Sequence, residues 1–288
     1  MQHTVRHEVN FEGIGLHSGK PVKMTLSPAP VDTGIIFKRQ DLVPVKEIPL
    51  SVSGMTEAIM CSKLVCDEYS ISTIEHLLSA LCAFAIDNVY IELDSEEVPV
   101  FDGSSAVFVQ ALESMSVLEQ TKPRKYIKIL QPISVKQDDS WVKLLPNGDE
   151  DSSLHFKVSI DFKHPAIAKT NQQVEFTLSK RGFVTQVSHA RTFGFASDLD
   201  KLHKNNLALG ASLDNAIGLS EDGILNESGL RYEDEFVRHK LLDAIGDIYV
   251  AGAIIGSYEA FKPSHALNHR VLKELLNTPN AFTEITLG

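Results

Sequence analysis

Cysteine is scarce: Cys61, Cys66 and Cys82 are the only three in 288 residues. Neither their number nor their spacing suits a disulfide framework or a thiolate zinc site. No apolar run reaches the ~20 residues that a membrane-spanning helix needs. The longest candidate, near IYVAGAIIG, is too short. The opening residues, MQHTVRHEVNFEG, hold no apolar signal core, so a cytoplasmic protein is expected. Basic residues are outnumbered, 27 Lys and Arg against 38 Asp and Glu, for a net charge of −11. That balance argues against a general nucleic-acid binder, which needs a basic footprint. It leaves room for a local basic site on a small anionic ligand. The remaining composition, 43% apolar and 23% charged, is that of a globular chain with one large or two ordinary domains.

The chain reads twice as strands, a buried helix, a strand and a second helix. EVNFEGIGLHSGKPVKMTLSPAP predicts a strand, a glycine-rich turn and an alternating strand ended by proline. TGIIFKRQD is a further strand. STIEHLLSALCAFAID predicts a helix that is apolar all round, with a serine start signal. NVYIELDSEEVPV then reads as strand and GSSAVFVQALESM as helix. LEQTKPRKYIKI, polar and proline-containing, is the best linker candidate. Beyond it come strands at KYIKILQPISVKQ, SWVKLLP, LHFKVSIDF and VEFTLS, a buried helix, a strand at IIGSYEAFK and a helix at SHALNHRVLKELLN. The stretches EHLLSALCAFAIDNVYIEL and RHKLLDAIGDIYVAGAIIGSYEAF echo one another faintly, as an old duplication would. The expected fold class is α+β. Two domains, residues 1–121 and 122–288, are each expected to be a β-sheet layered with α-helices, a duplicated β-α-α-β sandwich.

The buried helix FVRHKLLDAIGD raises the chemical question. A helix turns about 100° per residue, which puts Asp243 about 40°, Asp247 about 80° and Lys240 about 100° from His239. Almost everything else on the wheel is apolar, the reverse of a surface helix. Two accounts stand. The stripe is a solvent-facing strip with an i,i+4 pair, or His239 and Asp243, one turn apart, chelate one metal ion, the geometry of the H-E-x-x-H histidines.

A third ligand and a base have candidates elsewhere. Ser72 and Glu75 match a capping box, in which the glutamate only closes the helix start. Alternatively His76 is the third ligand and Glu75, beside it, takes a proton from water. Two histidines, one carboxylate and an open position form a catalytic set rather than a structural one. In KPSHALNHR, Ser264 reads as a helix N-cap, His265 as an acid and His269 as a surface residue. SHARTFGF puts Thr192 between a basic residue and two aromatics, which an ordinary turn also explains. FDGSS reads as a turn and helix start.

GIGLHSG, STIEHLLSAL, FDGSS, SHARTFGF, LRYEDEFVRHKLLDAIGD and SHALNH occur in one order. Together they make the chain resemble the bacterial UDP-3-O-acyl-N-acetylglucosamine deacetylases, the LpxC family, from about residue 4 to 285. The resemblance implies a zinc-dependent amidase (ferrous iron being an alternative metal in cells), acting as a monomer on a nucleotide-sugar lipid precursor on the route to lipid A. It implies two α+β domains around a cleft. His76, His239 and Asp243 match the zinc ligands, Glu75 the general base and His265 a second catalytic residue oriented by Asp247. Thr192 matches the hydroxyl that holds the oxyanion; Phe193 and Lys240 match substrate contacts. Cys61 falls where some members place a cysteine beside the metal. An insert at about residues 196–220 would wall an apolar passage for the acyl chain, with Leu207 and Ile217 as guesses at lining residues. Two rivals stand beside this reading: a zinc amidohydrolase for another acylated substrate, and a non-enzymatic acidic binding protein.

Overall fold

The computed structural model describes residues 1–287, and the final residue lies outside the described residues. Among these residues seven α-helices are formed: α1 (Glu75–Ala83), α2 (Ala106–Met115), α3 (Pro165–Ala168), α4 (Lys180–Gln186), α5 (Leu199–Lys204), α6 (Glu235–Ile248) and α7 (His265–Asn277). The rest of the described residues is strand, turn and three short 3₁₀ helices, a mixed α+β fold as the sequence pattern predicts.

The strand order repeats. In the first half Val9–Ile14 and Pro21–Pro28 form a hairpin. Val89–Leu93 lies antiparallel to the second of these and parallel to Ile35–Arg39, and Lys46–Pro49 closes the edge. In the second half Ile133–Gln137 and Ser140–Leu145 form the hairpin. Ile254–Phe261 lies antiparallel to it and parallel to Leu154–Ser159, with Gln173–Thr177 at the edge. In both halves the middle strand follows a buried helix, α1 or α6, and precedes another, α2 or α7. The faint echo in sequence is therefore a repeat of topology. Arg124–Ile129 and Phe282–Leu287 extend the second sheet; the latter strand was not foreseen.

Each repeat also carries an insertion at the same point, between its edge strand and its buried helix. The first is a three-stranded sheet, Met55–Thr56, Lys63–Cys66 and Tyr69–Ser72. The second includes α5 and a parallel pair, Phe193–Phe195 with Ile217–Leu219.

The expected linker is not loose. Val117–Glu119 pairs with His3–Val5, the Gln120 side chain donates to the Ala29 carbonyl, and Arg124 already begins a strand. The segment is polar and proline-containing, yet its backbone finds partners within the fold.

The two repeats meet along α1 and α6. All nine residues of α1 are buried. Leu241, Leu242, Ala244 and Ile245 on α6 are fully buried, and each large apolar side chain removed from water contributes roughly 1.5–3 kcal/mol. Close approach depends on Gly246. A Cβ there would sit 2.0 Å from the Glu75 carbonyl oxygen, so the helices touch backbone to backbone.

Candidate functional site

His76 enters the seam from the first turn of α1; His239 and Asp243 enter from successive turns of α6. The three offer ligand atoms that all lie within 4.8 Å of one another, and all three residues are buried. Asp243 Oδ1 is 3.5 Å from His76 Nε2 and 3.4 Å from His239 Nε2, and among the described residues it has no hydrogen-bond partner. His239 Nδ1 donates to the Ala190 carbonyl at 3.1 Å, which leaves the Nε2 lone pair free. Burial pushes His239 down to about 3, with Asp243 only partly offsetting it, so the ring is neutral. Burial works against the Asp243 carboxylate, but His239 and the Lys240 ammonium hold it well below the usual range. A buried carboxylate oxygen without a donor, faced by two imidazole nitrogens, is costly unless a cation sits between them. The donor set fits one divalent metal ion with a position left open.

The backbone entering α1 is bent to aim these groups. Thr73 has φ +58°, an outlier for a β-branched residue. Its N–H donates to the Ser62 carbonyl at 2.9 Å and its hydroxyl to Glu97 Oε1 at 3.1 Å. Glu97 also accepts from the His17 and Ser18 N–H groups at 2.8 and 2.9 Å, which ties the GIGLHSG turn to the same point. Ser72 does not cap α1. The cap position is Ile74, without a side-chain bond, and the Ser72 hydroxyl donates to the Glu96 carbonyl. Glu75 is thus free of the capping-box role. Its Oε2 accepts from Ser62 N–H at 3.1 Å, and its Oε1 lies 3.8 Å from His265 Nε2. Burial raises its pKa, while the neighbouring His265 and His76 pull the other way.

Across from Glu75, His265 Nδ1 contacts Asp247 Oδ2 at 2.8 Å. Burial alone would lower the His265 pKa, but the Asp247 and Glu75 carboxylates push it up to about 9. Asp247 is fully buried. Burial opposes its charge, but His265 and its hydrogen bonds hold it well below the usual carboxylate range. Asn268 Nδ2 donates to Asp247 Oδ2 at 2.8 Å, and Tyr258 OH donates to Asn268 Oδ1 at 2.6 Å. Ser62 and His269 complete the cluster. Ser62, Asn268 and His269 were missed in the sequence, and His269 is not a surface residue. It is 4% exposed, with Nε2 3.2 Å from Ser62 Oγ. One turn separates it from His265 on α7, so the register that turns one toward α6 turns both.

These groups line a cleft of about 440 Å³ that includes Glu75, His76, Thr192, His239, Asp243 and His265. Thr192, Phe193, Phe195 and Leu202 also line an adjoining, mostly apolar cavity of about 270 Å³ walled by Leu199, Leu213 and Ile217. Ile217 is fully buried on that wall. Leu207 is not among its residues; it faces a third cavity with Lys20, Lys63 and Cys61. Cys61 is 4% exposed, and burial followed by the Glu75 charge pushes its thiol up to about 12, so it is not a thiolate. Lys240 Nζ donates to Asp243 Oδ2 at 2.7 Å and lies 5.9 Å from the Phe193 ring centre. The Thr192 segment is anchored by Arg191, whose N–H and Nε both donate to buried Glu235 Oε1, at 3.0 and 2.9 Å.

Comparison with known proteins agrees along the whole chain. Residues 2–277 match the LpxC family, described as UDP-3-O-acyl N-acetylglycosamine deacetylase. A UDP-3-O-acyl-N-acetylglucosamine deacetylase of Francisella tularensis subsp. tularensis (strain WY96-3418) is 48% identical over 287 residues, 99% of each chain. Proteins of that name from Idiomarina loihiensis and Xanthomonas oryzae pv. oryzae are 46% and 48% identical, over 99% and 96% of this chain and 92% and 90% of theirs. The motifs read in sequence, the repeated α+β topology and the match over nearly every residue lead to one conclusion: the chain belongs to the LpxC family of UDP-3-O-acyl-N-acetylglucosamine deacetylases.

Proposed function

We propose that this protein hydrolyses the N-acetyl group of UDP-3-O-(3-hydroxyacyl)-N-acetylglucosamine to acetate and the free amine, the committed step of lipid A synthesis. It works in the cytoplasm as a monomer of two domains, residues 1–121 and 122–288, with the insert at 196–220 walling the acyl chain. The observation that carries this reading is the meeting of His76, His239 and Asp243 within 4.8 Å, faced by Glu75 and His265, in a cleft joined to an apolar cavity. The named activity of the relatives supports the substrate class.

His76, His239 and Asp243 hold a catalytic Zn²⁺, with Fe²⁺ an alternative in cells. Bound there, the cation supplies Lewis acidity to the amide carbonyl and makes water nucleophilic near neutral pH. Glu75, its Oε2 fixed by the Ser62 N–H, takes the proton from the attacking water with Oε1. The acetyl carbonyl becomes an oxyanion, to which the Thr192 hydroxyl donates, a contact of the kind worth about 3 kcal/mol. His265, charged below about 9, offsets that negative charge. As the C–N bond breaks, the amine leaves with a proton from His265 Nε2, and Asp247 keeps the ring oriented. Lys240 and Phe193 contact the nucleotide sugar; Cys61, expected beside it, lines the third cavity instead and takes no part. The acyl chain lies along Leu199, Leu213 and Ile217.

Metal analysis together with a deacetylation assay tests this. About one divalent ion per chain is expected, with activity lost on chelation and restored by Zn²⁺. Full turnover by metal-stripped protein, or equal turnover of an acetamide without the nucleotide, would overturn it.

A further inference from the structure

Ser62 lies outside every motif that points to the chemistry. It precedes a strand of the first insertion, yet it is fully buried and touches both proton-handling groups. Its backbone N–H donates to Glu75 Oε2 at 3.1 Å. Its hydroxyl contacts Asp247 Oδ1, His269 Nε2 at 3.2 Å and His265 Nδ1 at 3.3 Å. Donor counting fixes the directions. Asp247 Oδ1 can only accept, so the Ser62 hydroxyl spends its one proton there. The shorter contact of His265 Nδ1 is to Asp247 Oδ2, at 2.8 Å. The Ser62 oxygen is therefore left to accept from His269 Nε2–H. The chain of donors runs His269, Ser62, Asp247, with Tyr258 and Asn268 approaching Oδ2 from the far side. Among the described residues His269 Nδ1 is buried without a partner, and its Nε2 faces both this hydroxyl at 3.2 Å and, at 3.5 Å, Asp247 Oδ1 itself.

We propose that Ser62 is a positioning residue for the deacetylation, joining the Glu75 side of the site to the Asp247–His265 pair through one backbone N–H and one hydroxyl set by His269. This rests on the roles given to Glu75 and His265 above. A carboxylate can swing about its last torsion, and the serine fixes that angle. Without the hydroxyl, Asp247 Oδ1 is a buried charged oxygen with a poorer donor, and the carboxylate turns to seek one, taking His265 with it. Substrate binding is untouched, because Ser62 is absent from the lining of the cleft and of the apolar cavity.

The test uses the metal-loaded full chain with the acylated nucleotide sugar. In Ser62→Ala, kcat is expected to fall on the order of 10-fold or more, the scale of one lost hydrogen bond to a charged group. KM and metal content stay as in the parent. Ser62→Thr, which keeps the hydroxyl, restores most of kcat. His269→Leu, which leaves Ser62 but removes its donor, lowers kcat with KM unchanged. Parental kcat in Ser62→Ala would overturn the proposal. So would equal loss in the Ala and Thr variants. Should Ser62→Ala fail to fold, an unchanged kcat in His269→Leu overturns it by itself. An inactive parent would instead sink the deacetylase reading, which separates the two failures.

Discussion

His265 sits at the start of α7, where the helix dipole disfavours an imidazolium. Burial disfavours it as well, yet the paired carboxylates push it up to about 9. Because the folded value is raised above the unfolded one, its stabilisation is full below the ordinary histidine range and is lost as pH rises through about 9. Deacetylation is expected to fall along the same alkaline limb. Asp247→Asn removes the largest opposing attraction, so the midpoint should drop by more than ~1 unit and kcat/KM at pH 8 should fall. A pH–rate profile of both proteins checks this; a limb that stays in place assigns it to another group. At the proposed metal site, His239→Ala should lower metal affinity by more than roughly 100-fold, beyond the loss of a mere supporting partner. Activity should fall with it, while the far-ultraviolet circular dichroism stays native; full metal occupancy would remove His239 from the ligand set. Residues such as these were legible because a polar stripe on an oily helix has little reason to exist otherwise. Ser62 and Asp247 are 185 residues apart, and no local period links them.

At the level of elements, α1, α6 and α7 were legible through long apolar periodicity, and the end of the strand Pro21–Pro28 through its closing proline. Phe282–Leu287 was not foreseen because its residues are half-buried or exposed, leaving no buried face to mark it. The insertions resisted reading for another reason: irregular backbone follows neither period, so Ile217 proved to line the apolar cavity and Leu207 did not. That difference is testable. Ile217→Glu should reduce kcat/KM for the long-chain substrate by at least ~10-fold, Leu207→Glu far less. Removing four CH₂ groups from the acyl chain should cost about 3 kcal/mol, a loss on the order of 100-fold. Equal turnover of short and long chains would place the acyl group elsewhere. Gly246 offers a sharper case. A mid-helix glycine changed to alanine usually gains up to ~1 kcal/mol. Here the new methyl meets the Glu75 carbonyl, so Gly246→Ala should instead cost ~1–3 kcal/mol. It should also weaken metal binding, because α1 carries His76. Calorimetry and a metal-competition titration read the two effects; a raised Tm would refute the backbone contact.

For the whole molecule, the repeat matters more than the fold class. The core is continuous from the first sheet through α1 and α6 into the second. Tyr249 OH donates to the Ile86 carbonyl at 2.7 Å, and Arg124 Nε to Asp87 at 2.7 Å, fastening the halves again beyond the helices. Scanning calorimetry should therefore show one transition, with calorimetric and van't Hoff enthalpies equal. Removing the metal should move that transition down as a unit, since a ligand at 100 times its Kd adds about 2.7 kcal/mol. Two peaks, only one of them metal-sensitive, would show that the halves unfold separately.

The shared seam has a kinetic side. A cation bound by His76 on one repeat and by His239 and Asp243 on the other would act as a cross-link between them. Added Zn²⁺ should then slow the amide hydrogen exchange of Leu77 to Ala83, and chelation should quicken it again.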